Sequence, residues 1–252
     1  HSVPMLSTEK AYTQDSLQRF IDRVHKESRT IGINDPQFRI TPKLDGMAGK
    51  DENGILASRG DGRTGADITH IFHRGVIAKG GRNLGVGEIV MVKSYFEENF
   101  SAEFEHPRNM VTGCVNSDEV NSSTQKALDD GMIHFVPYTT LENWVGSGEQ
   151  MLRDIEDITS TLSQKVDYPL DGMVAEAVDD RVKEKMGATN HHNRWQIAIK
   201  TKGETAVTVV EKIGWQTGRT GVITPVLRVR PTKVSGATIS NISAHHAGLV
   251  RD

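Results

Sequence analysis

Cysteine is nearly absent from this sequence: a single residue, Cys114, stands among 252. One thiol excludes an internal disulfide and a four-cysteine zinc site within the chain. Long apolar runs are also missing, since no stretch approaches the roughly 20 residues of a membrane span. The first residues lack the charged-then-apolar form of a signal peptide, so no membrane association and a cytoplasmic setting are expected. Charge of one sign does not dominate either. A formal net charge of -3 gives no global argument for nucleic acid, and any such argument must be local. Internal repeats and low-complexity segments are absent. What remains is a composition with 36% hydrophobic residues, suited to one large domain or to one domain and part of a second. The chain opens on His1 rather than methionine, which predicts a processed or recombinant fragment whose natural neighbours are missing.

Hydrophobic spacing predicts two amphipathic helices. From Thr13 to about Arg29, the residues Leu17, Phe20, Ile21 and Val24 follow i, i+3, i+4, i+7, with Thr13 or Ser16 as the cap. From Gly148 to Gln164, Met151, Ile155, Ile158 and Leu162 repeat the pattern. Short apolar runs bounded by Gly, Pro and Asn read as strands: GEIVMVK, IHFVPY, DGMVAEAV, WQIAIKT and TAVTVVEKIGW. The expected fold class is α+β, with mostly antiparallel sheets flanked by helices. Near Gly203 the composition shifts to a Val, Ile, Thr and Gly-rich tail, as in a small β-barrel, giving expected domains 1-203 and 204-252. That tail is basic. Beyond Ala206, Lys212, Arg219, Arg228, Arg230, Lys233 and Arg251 are opposed only by Glu211 and Asp252. Such a tail is either a phosphate-binding footprint or a solvated basic face.

The stretch TPKLDGMAG, residues 41 to 49, sets Lys43 two positions before Asp45. A lone K-x-D-G is a turn with a surface lysine, because Asp-Gly is a common turn dipeptide. Its company along the chain changes that reading. SRGDGRTGADIT, GEIVM, HPRNMVTG, LDGMVAEAV, RWQIAIKTKGE and GRTGVITP follow in order, and HSVPMLS stands at the start. Together these motifs resemble the NAD-dependent bacterial-type DNA ligases, from His1 to about Ser240. PRN-x-x-x-G and GRTG-x-ITP are particular to that family, whereas ATP-using ligases and capping enzymes share mainly the lysine motif.

The resemblance implies a covalent nucleotidyltransferase fold followed by the first part of an OB-type barrel. It also implies a reaction in which AMP passes from NAD to a lysine, then to the 5′ phosphate of nicked double-stranded DNA before sealing. Lys43 matches the adenylated lysine, with Asp45, Asp171 and Lys200 in the catalytic set. A lysine suits the task because two displacements replace one harder step. Arg59 and Glu88 match residues that hold the nucleotide ribose, and Tyr138 an aromatic that stacks on adenine. Ser7, Thr8, Thr41 and Leu44 match positions at the nucleotide pocket, and Lys200 also matches a cation facing the α-phosphate. Arg108 and Arg219 match contacts to DNA or phosphate. Mg²⁺ is implied, with Asp171 and Glu88 as ligands, and zinc is not expected in this chain.

Departures from the pattern accompany the matches. Thr41 stands where the family has a glutamate that reads the adenine amino group, and Glu176 where it has a lysine. Asn116 and Val86 replace arginines, and the region before Asp171 offers only Lys165 as a cation. The family's nicotinamide-gripping helical domain, its zinc finger and its helix-hairpin-helix repeats have no counterpart here. The resemblance therefore implies either the nucleotidyltransferase core or one part of a divergent or naturally split, viral-type ligase, in a bacterial or virus-infected cell, with a second chain or other domains supplying the rest. Two alternatives stay open: a catalytically weakened binding or assembly component, for which Glu176 speaks, and an ATP-dependent nucleotidyltransferase.

Overall fold

The computed structural model describes residues 4–200, 206–217, 221–234 and 237–244. The chain divides into two units, His1–Thr201 and Lys202–Asp252. The first opens with strand β1 (Ser7–Ala11) and helix α1 (Gln14–Thr30). In α1 the residues Leu17, Phe20, Ile21 and Val24 are all buried, as their spacing predicts. Thr13 is the cap, its hydroxyl accepting from the Ser16 N–H at 3.2 Å, and Ser16 lies inside the helix.

Next come β2 (Gln37–Leu44), β3 (Met47–Glu52), β4 (Ile55–Ser58), α2 (Ile71–Arg74), β5 (Ile77–Ala78) and β6 (Gly85–Met91). Three short helices follow, α3 (Lys93–Asn99), α4 (Pro107–Asn116) and α5 (Ser122–Asp129), then β7 (Ile133–Pro137) and a 3-10 turn, Tyr138–Thr140. The unit closes with β8 (Trp144–Ser147), α6 (Gly148–Gln164), β9 (Leu170–Ala177), α7 (Asp180–Met186) and β10 (His192–Ile199). The second predicted helix is α6. It starts on a capping box in which Ser147 and Gln150 satisfy each other's backbone N–H groups.

The strands form two five-stranded sheets, ordered β1-β10-β9-β2-β8 and β4-β3-β6-β7-β5. Only β1–β10 and β5–β7 pair in parallel among the described residues, so the sheets are mostly antiparallel. Phe38 and Ile40 of β2 pack with α1, α6 and α7 in one core, and period-2 alternation leaves Arg39, Thr41 and Lys43 on the opposite face. A second core, containing Ile89, Phe135 and Cys114, packs β6 and β7 against the short helices. A third, smaller cluster of Leu44, Val90, Val136 and Leu141 joins strands of the two sheets. Each buried Leu, Ile or Phe in these cores contributes about 1.5–3 kcal/mol.

The strand expected over GEIVMVK stops at Met91. The Val92 N–H turns to the Met132 carbonyl, and Val92 becomes the N-cap of α3. In the second unit, β11 (Val210–Thr217), β12 (Ile223–Val234) and β13 (Ala237–Ser243) form an antiparallel three-stranded sheet. The run TAVTVVEKIGW enters the sheet only at Val210, where pairing with Val229 begins. Ala206–Val209 precede it outside any strand, and Thr205 lies outside the described residues. Val207 there is wholly exposed, and a register shift between Val210 and Lys212 interrupts the regular pairing with β12 at this end. Among the described residues no helix is long and apolar enough to cross a membrane.

Candidate active site

Strand β2 delivers Lys43 to the edge of a cleft and then turns through Asp45-Gly46 into β3. The glycine is required by a close approach: a Cβ at Gly46 would lie 1.9 Å from the Ile89 carbonyl oxygen of β6. Gly46 also donates its N–H to Oε1 of Glu88 at 3.2 Å, which ties the turn to β6. Pairing of β2 with β9 shifts register between Pro42 and Leu44, bringing Lys43 beside Asp171. The Lys43 Nζ lies 3.1 Å from Asp171 Oδ2. Lys200, just past β10, donates its Nζ to the same oxygen. Its own backbone N–H is anchored on the Ala11 carbonyl of β1 at 2.9 Å.

Two ammonium groups therefore converge on one carboxylate oxygen. Burial pushes the Asp171 carboxyl up, but the hydrogen bonds from Lys200 and Lys43 outweigh it and hold the group below its ordinary value. Asp171 stays ionised near neutrality. Gly172 next to it has φ +101, and a Cβ there would lie 2.2 Å from the Ile199 carbonyl oxygen, so β9 and β10 run too close for a side chain.

The opposite wall carries Glu88, buried at 8% exposure. Tyr138, in the turn after β7, donates its phenol to Glu88 Oε2 at 2.5 Å. Burial raises the Glu88 carboxyl to about 7, and the bonds from Tyr138 and Gly46 offset this only in part. Burial and the neighbouring Glu88 likewise push the Tyr138 phenol well up.

The cleft between these walls has a volume of about 450 Å³ and is lined by Lys43, Asp45, Arg59, Glu88, Arg108 and Asp171 among others. Arg108 reaches in from α4 and pairs with Asp45 at 2.9 Å. Arg74 holds that helix in place. Its guanidinium donates to the carbonyls of Cys114 at 2.6 Å, Ser117 at 2.8 Å and Asp118 at 3.2 Å, completing the helix end that carries Asn116 into the cleft.

Of the residues proposed from sequence, Lys43, Leu44, Asp45, Arg59, Glu88, Arg108 and Asp171 line one cleft, and Lys200 and Tyr138 bond to two of them. Ser7 and Thr8 do not line it. They lie on the edge strand β1, where the Ser7 hydroxyl donates to the His191 carbonyl at 2.9 Å. Thr41 pairs with Val174 two residues up β2 from Lys43. Arg219 lies outside the described residues. Ser58, Ala48 and Ala66 also line the cleft and were missed. Ser58 immediately precedes the RGDG stretch, which was the signal available.

Glu176 sits opposite Arg39 across the β2–β9 pair, 2.9 Å from its guanidinium, with Lys183 at 3.6 Å. Its reversed charge is compensated locally. No group of three or more His, Cys, Asp or Glu suited to a metal ion occurs among the described residues.

Comparison with known proteins matches the sequence of both units to one family. The model for the NAD-dependent DNA ligase adenylation domain matches residues 1–143, and that for the NAD-dependent DNA ligase OB-fold domain matches residues 207–252. A protein named DNA ligase from Desulfatibacillum aliphaticivorans is 57% identical over 252 residues, covering 100% of this chain and 40% of the relative. DNA ligases of Psychromonas ingrahamii and Desulfotalea psychrophila are 45% and 42% identical, each over 98% of this chain and 39% and 37% of their own length. The chain thus spans about 40% of the length of these relatives. With the adenylation-domain match covering more than half of it, the chain belongs to the NAD-dependent DNA ligase family.

Proposed function

We propose that this chain is the adenylating core of an NAD-dependent DNA ligase, with Lys43 as the residue that carries AMP. The observation that carries the reading is the convergence of Lys43 and Lys200 on Asp171 at the wall of a cleft whose other wall holds Glu88. In this role Lys43 first releases its ammonium proton to solvent, and its neutral amine forms a bond to the α-phosphorus of NAD. The bond from that phosphorus to the oxygen of nicotinamide mononucleotide breaks, and the second amine proton leaves to solvent. Asp171 fixes the amine before the reaction, and Lys200 stands where a cation meets the negative charge of the transferring phosphate. Glu88 and Arg59 take the ribose side. Tyr138 orients the Glu88 carboxyl through its phenol as well as offering its ring to the base. Ser7 and Thr8 on the edge strand β1, and Thr41 on the interior strand β2, would meet the base only from outside the cleft lining. Arg108 would exchange Asp45 for a phosphate of the nucleotide or of nicked DNA.

Magnesium fits this donor set poorly as a protein-held ion. Asp171 Oδ2 is already shared by two ammonium groups, and both Glu88 oxygens are engaged by Tyr138 and Gly46. No step is therefore routed through a metal held by these side chains. The DNA partner, a cytoplasmic setting and the supply of nicotinamide binding by further domains or a second chain belong to the same proposal. So do a barrel boundary near Gly203 and a DNA contact by Arg219.

Incubation with NAD should add the mass of one AMP, and Lys43→Ala should abolish it. Labelling from ATP and not NAD would establish the ATP-dependent reading instead. Absence of any adduct, even with the remaining ligase domains added in trans, would favour the assembly-component reading. The pairing of Glu176 with Arg39 and Lys183 supports the catalytic reading over that one, because the reversed charge is already neutralised within the sheet.

A further inference from the structure

Residues 166–169, between α6 and β9 of the first sheet, reach over to strand β7 of the second sheet and to helix α3 just before Leu170 and Asp171. The segment is pinned at successive residues. The Asp167 carbonyl accepts from the Lys93 N–H at 2.9 Å, and its carboxylate accepts from the Ser94 N–H at 3.0 Å, so it holds the start of α3. The Pro169 carbonyl accepts from the Asp45 N–H at 2.8 Å, which fastens the segment to the turn after Lys43. Between these, Tyr168 donates its hydroxyl to Nδ1 of His134 at 2.7 Å, the rings meeting edge to face at 5.7 Å.

His134 belongs to β7, the strand that leads into Tyr138 and so to Glu88. Its ring has no freedom of role. Nε2 lies 2.9 Å from the Gly131 carbonyl, which only accepts, so Nε2 carries the proton and Nδ1 is left to accept from the phenol. Burial also pulls its basicity down, which keeps the ring neutral. Val166, Tyr168 and Leu170 pack on the cluster of Leu44, Val90, Val136 and Leu141 that joins the sheets.

We propose that Tyr168 and His134 form a positioning pair that sets the spacing of the two cleft walls, holding Asp171 and the Asp45 turn at a fixed distance from Glu88 and Tyr138. This rests on the reading of Lys43 as the adenylated residue. Neither residue lines the cleft, so the pair acts through Asp171 and Asp45. Its effect falls on the geometry of transfer and not on nucleotide affinity.

The test is Tyr168→Phe in the full chain, which removes one hydroxyl and keeps the ring packed. The AMP-transfer rate at saturating NAD should fall on the order of tenfold while KM changes by less than about twofold, as expected for misplacement of reacting groups. Adding His134→Phe to Tyr168→Phe should cost no further rate, because the two act as a unit. Acetylation of Lys43, read by mass spectrometry, should rise several-fold in Tyr168→Phe as the hold on Asp171 loosens, and this readout does not depend on NAD. A wild-type rate with unchanged Lys43 acetylation overturns the proposal, and so does a rise in KM with an intact rate. If the wild-type chain takes up no AMP at all, the ligase reading fails separately, and unchanged acetylation would then overturn the positioning pair by itself.

Discussion

Tyr138 donates its phenol proton to Glu88 at 2.5 Å inside a wall of the cleft, and the carboxyl it holds titrates at about 7. The folded chain therefore keeps a proton on Glu88 that the unfolded chain, at the ordinary value of 4.5, has released. The native state binds more protons between these values, so stability falls as pH rises through that window, by about 3 kcal/mol at most. Glu88→Gln should flatten the dependence of melting temperature on pH across it. A wild-type chain whose stability rises steadily from pH 5 to about 7 would contradict the assignment.

Gly172 adopts φ +101 between Asp171 and the core residue Met173. Gly172→Ala should destabilise the first unit by roughly 2–3 kcal/mol, from left-handed strain and from the collision with the Ile199 carbonyl. It should also lower AMP transfer, since relief of the collision moves β9 away from β10 and separates Asp171 from Lys200. Thermal denaturation and the NAD mass-shift measurement read the two effects.

The Glu176 and Arg39 pair is partly solvent-exposed, at 20% and 35% of the side chains, so solvent screens it. Glu176→Lys, which introduces the residue that the resemblance implies at this position, should still destabilise this chain, by about 1 kcal/mol, because the new ammonium faces Arg39 and Lys183. The double change Arg39→Glu with Glu176→Lys should recover most of that loss. Melting temperatures of the four proteins in the cycle decide it, and an additive result would rule the pairing out as a stabilising contact.

Arg228 and Arg230 are exposed on β12, and Lys212 pairs in register with Arg228 from β11. Under the proposed function, this strand surface would be the basic tail's contribution to DNA binding. Affinity for nicked DNA should fall steeply with salt, and Arg228→Gln with Arg230→Gln should reduce the slope of log affinity against log salt by about two. An unchanged slope in the double variant would move the contact surface elsewhere.

The fold was legible where one element carries its own signal. Helices α1 and α6 each run 17 residues, about five turns, long enough for period 3.6 to stand out, and both helices occur where predicted. Helices α2, α3 and α5 run 4, 7 and 8 residues, too short for such a stripe to emerge. The cleft was legible as an order of motifs, since Lys43, Arg59, Glu88, Arg108 and Asp171 meet there. Pairings across the chain were not. Arg39 and Glu176 are separated by 137 positions, and nothing local in either strand announces that the reversed charge has a partner. Tyr138 was expected for its ring, and its hydroxyl bond to Glu88 depends on the register of β6 with β7, which no spacing in the sequence encodes.

Cys114 is wholly enclosed in the second core, and burial pushes its thiol up to about 11. A thiol that is both enclosed and protonated reacts slowly with maleimides and similar reagents. The native chain thus supplies its own blank background for site-directed labelling. One surface cysteine on each wall of the cleft would take a spin label or dye pair without removal of the native residue, making the distance between the walls directly measurable as nucleotide enters.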